Sequence, residues 1–121
     1  MLKNSEDIET KKIKKGQFLL REGEKSSQLY IVKAGRFSVL KNKGGVEREI
    51  QVIGEHELIG EMSFIDNSPR SASIRALHDS EVYIIPRSKF DVMFKDLPRW
   101  YVALFETITK RLRNTNARIK V

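Results

Sequence analysis

The sequence predicts a mainly β domain, a sandwich or small barrel, with helices flanking it. Two observations carry this expectation. Between residues 17 and 86, short segments rich in β-branched and aromatic residues recur with glycine between them, as in all-β domains built from many short strands. After Pro86 the pattern changes and apolar residues recur at helical spacing. A chain of 121 residues fits one domain, residues 1–121. The barrel would occupy about 13–86 and the C-terminal helices about 87–118.

A short helix is expected near Asn4-Ser5, where Ser5 can cap it and Glu6, Asp7 and Glu9 favour its positive end. Strands are then expected at 17–21, 28–34, 36–41, 48–53, 71–77 and 80–86. Gly16, Gly23, Gly35 and Gly54 sit between or beside them as turn residues, and Asn42-Lys43-Gly44-Gly45 reads as the tip of a hairpin. Ser88 can cap a helix through KFDVMFKD. Pro98 opens a longer one, where its missing N–H costs nothing, and that helix runs to about Arg118.

Composition excludes several function classes. At 40% hydrophobic and 32% charged residues the chain can bury a real core and stay dissolved. No apolar run is long enough to cross a bilayer, and the first residues lack the apolar stretch of a secretory signal. The expected location is the cytoplasm, with no membrane partner. Cysteine is absent, and His56 and His78 lack ligand spacing, so neither a metal nor a metal-dependent barrel enzyme is expected. The net charge of +7 has two clusters: Lys11, Lys12, Lys14 and Lys15, then Lys110, Arg111, Arg113, Arg118 and Lys120. These read as solvated faces, with weak attraction to anions as the alternative. After Val121 no chain is left for a helix-turn-helix, so no nucleic-acid partner is expected.

The most informative stretch is Gly60 to Ala76, GEMSFIDNSPRSASIRA. A Gly-Glu pair opens one turn of helix. Pro69-Arg70-Ser71-Ala72 follows, then a strand. One carboxylate, one guanidinium and a helix start share a loop, and a ribose-phosphate needs those three things. The carboxylate accepts from a sugar hydroxyl, and the guanidinium forks onto two phosphate oxygens. The helix start adds N–H donors.

This stretch closely resembles the phosphate-binding cassette of the cyclic nucleotide-binding domain family, which includes the bacterial catabolite activator protein and the protein kinase A regulatory subunits. The resemblance runs from about Ile13 to Ile119 and includes KKGQFLLREGEKSSQLYIVKAGRFSVL, where Gly23, Tyr30 and Gly35 match turn and core positions. It implies an eight-stranded jelly-roll β-barrel (a double-stranded β-helix) followed by a long C-terminal helix over the nucleotide pocket. It also implies a binding domain with no enzyme activity, whose ligand is cAMP ahead of cGMP.

The resemblance assigns the site residue by residue. Glu61 would accept the ribose 2′-OH; by itself it also reads as a first-turn acid that favours the helix dipole. Arg70 would take the phosphate, because a buried anion needs a charged, forked donor. Ser71 would donate its hydroxyl to a phosphate oxygen, or it is simply a strand-entry serine. Gly60, Met62 and Ser63 would offer backbone N–H groups, with Gly60 leaving room for the ribose. A larger residue than Ala72 would crowd the sugar-phosphate. On the last helix Thr115 and Asn116 fall where the base would lie, although Thr115 also reads as a helix residue bonding its own backbone. Leu112, one turn earlier, could pack on the purine, and Arg111 could pair with Glu61 or be simply solvated. A threonine hydroxyl serves adenine or guanine equally well, so the choice of adenine rests on the resemblance.

The steps from Tyr101 to Phe105, Ile108, Leu112, Thr115 and Ile119 alternate four and three, a heptad seam. It predicts a parallel homodimer through this helix, although a helix lying on a barrel shows the same stripe. One departure from the family is the turn Gly54-Glu55-His56-Glu57, which adds acids near the pocket mouth; His56 reads as a turn residue. The expected function is a cyclic-nucleotide sensor acting in trans, through a protein partner or its own dimer. The alternatives are a jelly-roll interaction module that binds no ligand, and a sensor of cGMP or a cyclic dinucleotide.

Overall fold

Alternation of apolar and polar residues places the strands of the first two thirds of the chain into two four-stranded antiparallel sheets. The computed structural model describes residues 8–26 and 28–119. Its strands are β1 (Glu9–Ile13), β2 (Phe18–Leu20), β3 (Leu29–Ala34), β4 (Phe37–Lys43), β5 (Val46–Ile53), β6 (Leu58–Ile59), β7 (Ser73–Ala76) and β8 (Ser80–Ile85). Helix α1 (Glu61–Asp66) lies between β6 and β7, and α2 (Arg87–Lys95) and α3 (Arg99–Ile119) close the chain. One sheet has the order β1-β8-β3-β6 and the other β2-β7-β4-β5. The antiparallel, mainly β reading and the helical C-terminal region agree with the expected class.

The core sits between the sheets. Val32, Phe37 and Val82 are fully buried and pack with Ile13, Leu20, Tyr30, Val39, Ile59 and Ile74. A second cluster, Ile8, Leu29, Phe64 and Ile85, pins α1 to the outside of the β3–β8 sheet. Phe64 is 1% exposed, and burial of a phenyl ring on that scale stabilises by about 2–3 kcal/mol. A helix as short as α1 has little stability of its own, so this one aromatic sets where the loop around it lies. Gly35 turns the chain from β3 to β4 with φ at 104°; a Cβ there would fall 2.8 Å from Ser80 Cα, so only glycine fits.

Several expectations are corrected. The helix expected near Asn4-Ser5 lies outside the described residues, but Glu9, counted among its acids, begins β1 instead. Thr10-Lys11-Lys12 carries no apolar alternation. The strand forms because β8 supplies backbone partners, Lys11 facing Val82 and Lys12 facing Glu81. Its lysines are exposed, as read, and charge on an edge strand discourages pairing with another chain. Strand β6 went unpredicted because it has only the residues Leu58–Ile59. Ser88 does not cap α2: the helix starts at Arg87, and Lys89 N–H donates to the Pro86 carbonyl at 3.1 Å. Pro98 accepts from Tyr101 N–H at 3.0 Å and so precedes the first turn of α3, as expected. Gly44 and Gly45 form the turn between β4 and β5.

Candidate functional site

Arg70 is a charged side chain that the fold buries without an ion pair among the described residues. It is 3% exposed. Its Nη2 donates to Ser26 Oγ at 3.0 Å and to the Gln28 carbonyl at 2.9 Å, and Nη1 donates to the Gly60 carbonyl at 3.4 Å. Nε is buried and has no partner. No carboxylate pairs with it among the described residues. Burial lowers its pKa from the ordinary value, while the neighbouring Tyr30 and Glu24 pull it back up. Burial likewise raises the pKa of Tyr30, whose hydroxyl donates to Gln28 Oε1 at 2.8 Å. A guanidinium held by neutral oxygens keeps its full charge available to an anion.

The backbone fixes Arg70 as firmly as the side chain does. Arg70 N–H donates to the Glu24 carbonyl at 2.9 Å, and the Arg70 carbonyl accepts from Gly23 N–H at 2.8 Å. Ser63, 3% exposed, ties α1 to the same loop through its hydroxyl and the Pro69 carbonyl at 3.4 Å. Asn67 ends α1 with φ at 59°, donating its N–H to the Ser63 carbonyl at 2.9 Å.

A cavity of about 490 Å³ opens beside Arg70, and residues 60–63 and 70–72 all line it. The cassette residues therefore share one concavity. Glu61 stands exposed at the first turn of α1. The first helix bond is from Phe64 N–H to the Gly60 carbonyl, at 3.1 Å, so the N–H groups of 61–63 have no partner within the helix. Ser71 is exposed, and Ala72 packs against the core. Gly60 has a role the sequence did not disclose. Its φ is 84°, and a Cβ would collide with Arg70 Nη1 and fall 3.1 Å from the Gln28 carbonyl. It is glycine because Arg70 crosses it, in addition to any room left for a ribose.

The opposite wall escaped sequence reasoning. Val39 and Lys41 of β4, Ile50 and Gln51 of β5, and Leu58 of β6 line it. Register explains why two consecutive β5 residues face one cavity. Val39 pairs with Gln51 and Leu40 with Glu49, leaving Ile50 as the extra residue of a bulge, and a bulge re-aims the side chains beside it. Ile50 is 45% exposed, so this wall offers an open apolar surface beside the polar Lys41 and Gln51.

The described residues of the C-terminal helix stand apart from the cavity. No α3 residue lines it among the described residues; α3 contacts α1 instead. Arg111 is exposed and makes no ion pair with Glu61, so the expected pairing is absent here. The side chains of Leu112, Thr115 and Asn116 lie outside the described residues, as do those of Arg113 and Arg118. On the seam, Tyr101 and Ile108 are about half exposed, beside exposed Trp100 and Leu104. Between the cassette and α3, Arg87 of α2 stacks on Phe64 of α1, with its guanidinium carbon 4.5 Å from the ring centre. No group of three metal-ligating side chains and no helix long and apolar enough to cross a membrane occurs among the described residues.

Comparison with known proteins points the same way. Residues 10–96 match the model of the cyclic nucleotide-binding domain. The cyclic AMP receptor protein of Thermus thermophilus is 31% identical over 102 residues, 84% of this chain and 47% of the relative. The lysophospholipase nte1 of Aspergillus fumigatus is 30% identical over 108 residues, 88% of this chain and 7% of the relative. The chain thus spans under half the length of either. Among solved structures, the EAL enzyme Bd1971 in its cAMP-bound form superposes with a TM-score of 0.83 at 32% identity, over 90% of this chain and 29% of that one. Its cGMP-bound form gives 0.81 at 31% identity, over 91% of this chain and 30% of that one.

Proposed function

The chain belongs to the cyclic nucleotide-binding domain family, and we propose that it is a regulatory domain for a cyclic mononucleotide, cAMP before cGMP, with no catalysis of its own. The observation that carries this reading is the buried Arg70 guanidinium, one N–H unpartnered and no ion pair made among the described residues, in the wall of an open cavity. The ring phosphate carries one negative charge, and Arg70 offers one positive charge in the same low-dielectric place. Glu61 takes the remaining ribose hydroxyl. Ser71, the N–H groups of Met62 and Ser63, and the space beside Gly60 and Ala72 complete the sugar-phosphate seat. Ile50 and Leu58 offer the base an apolar surface, and the Gln51 amide, both donor and acceptor, is placed to meet its edge.

The fold in this reading is the family's eight-stranded jelly-roll barrel, with α3 as its lid. No described residue of α3 lines the cavity, so a bound base leaves a face for that helix to close. Leu112, Thr115 and Asn116 are the residues that would meet it, and Arg111 would reach Glu61 only then. A ligand that binds the closed arrangement more tightly shifts the population toward it. The exposed apolar residues of α3 carry the second part of the proposal: a homodimer through this helix, in the cytoplasm, passing the signal to a protein partner. Neighbours with cAMP and with cGMP bound support the ligand class, and the choice of adenine is ours.

Calorimetric titration with cAMP and with cGMP tests the ligand. Saturable binding of at least one is expected, with cAMP the tighter; silence from both would favour an interaction module that binds no nucleotide. Sedimentation of the same samples should give a dimer, and a monomer at every concentration, with and without ligand, would remove the dimer from the proposal.

A further inference from the structure

Lys41 lines the cavity together with the cassette, yet its ammonium is not free. It donates to the Ser71 carbonyl and pairs with Glu22 Oε2 at 3.5 Å. Glu22 is itself held at three points. Its other carboxylate oxygen accepts from Asn42 N–H at 2.9 Å, and its own N–H donates to Ser73 Oγ at 2.9 Å. Lys41, Asn42 and Glu22 thus form a clamp from β4 and the loop after β2 onto the exit of the cassette. From these contacts we infer that Lys41 is a positioning residue, fixing the Ser71–Ala72 peptide so that its N–H serves the ligand phosphate. This rests on the cyclic-nucleotide reading above and adds a residue to it.

The geometry of that peptide explains why it needs a clamp. On one side Arg70 is pinned through both its N–H and its carbonyl. On the other side Ser73 enters β7 and accepts from Glu22 N–H. Between these fixed points, the Ser71 carbonyl has Lys41 as its donor, and Ala72 N–H has no acceptor among the described residues. Every peptide here is trans. In a planar trans peptide the carbonyl and the N–H point in opposite directions. Holding the carbonyl against Lys41 therefore holds the Ala72 N–H on the far side, and both residues line the cavity. Without Lys41 that peptide can rotate as a unit between its two anchored neighbours, and its donor loses its fixed direction. Exposed Ser71 supplies no packing to prevent this.

The test is cAMP titration of the wild-type chain and of Lys41→Met, Lys41→Arg and Glu22→Gln, with the Ala72 amide resonance followed in each. Lys41→Met keeps the apolar stem and removes the donor; its affinity is expected to fall about tenfold, the effect of a misdirected charge-assisted hydrogen bond. Lys41→Arg should restore most of that loss. Glu22→Gln should weaken binding in the same sense, and the Glu22→Gln, Lys41→Met pair should be no weaker than Lys41→Met alone. The Ala72 amide should move downfield on saturation of the wild type and move less in Lys41→Met. Wild-type binding with Lys41→Met unchanged would overturn this inference alone. So would a weakened Lys41→Met in which the Ala72 amide responds as in the wild type, since Lys41 would then touch the ligand itself. A wild-type chain that binds neither cAMP nor cGMP would overturn the ligand reading beneath it.

Discussion

Replacing Arg70 with leucine is expected to weaken cyclic nucleotide binding by roughly 1.5–3 kcal/mol, the range for hydrogen bonds to a charged group, and to leave the unliganded fold about as stable as before. The two halves have one cause. Arg70 is 3% exposed and its hydrogen bonds go to neutral oxygens, so the protein carries the cost of burying a cation that has no ion-pair partner among the described residues. The lowered pKa has the same origin, since burial disfavours the charged form. Leucine removes that cost. It also leaves the Gln28 and Gly60 carbonyls without their donor, and the opposing effects roughly offset. Calorimetry gives the affinity. Thermal melts give the stability with and without ligand, and at about 100 times Kd the wild type should gain about 2.7 kcal/mol. A variant that binds as tightly as the wild type would place the phosphate elsewhere. A variant that unfolds without ligand would make Arg70 a structural residue.

Gly60→Ala is expected to lose about 1–3 kcal/mol of stability, the cost of holding a non-glycine residue in a sparsely populated backbone region, and to weaken binding as well. At φ 84° the backbone is left-handed, and the new methyl would meet the Arg70 guanidinium and the Gln28 carbonyl. Either α1 shifts or Arg70 leaves its seat, and both disturb the phosphate side of the cavity. Gly54→Ala is the control: its φ is not in the left-handed range, and its nearest atom would be Glu57 Oε2 at 4.0 Å. Melting curves for the pair should separate clearly, with Gly54→Ala near the wild type. Equal curves would mean that the Gly60 turn relaxes without cost.

The residues that were legible in the sequence are those the chain keeps local. Gly60, Glu61, Arg70 and Ala72 lie within one short segment, and a single turn of helix plus a loop brings them to one cavity. The strands with apolar alternation were legible for a similar reason, because each shows its buried face in its own residues. What escaped depends on partners far away in the chain. Thr10-Lys11-Lys12 is a strand only because β8 lies beside it. Gln51 faces the cavity only because β5 bulges against β4 at Ile50. Lys41 reads as one more exposed lysine until Glu22 and Ser71 are placed around it. Gly60 was expected to make room for a ribose; that Arg70 crosses it is a contact between residues ten apart, which no spacing rule discloses. Arg111 and Glu61 lie fifty residues apart on different helices, so whether they meet depends on where α3 sits, which no local pattern sets.

The central claim is that Arg70 receives the phosphate, and a crystal structure of the chain with cAMP tests it most directly. A phosphate oxygen is expected within hydrogen-bond distance of Arg70 Nε, the donor that is buried and unpartnered without ligand, with the ribose hydroxyl on Glu61 and the base toward Ile50 and Gln51. A nucleotide bound elsewhere, or a cavity that stays empty at saturating cAMP with Nε still unpartnered, would contradict it.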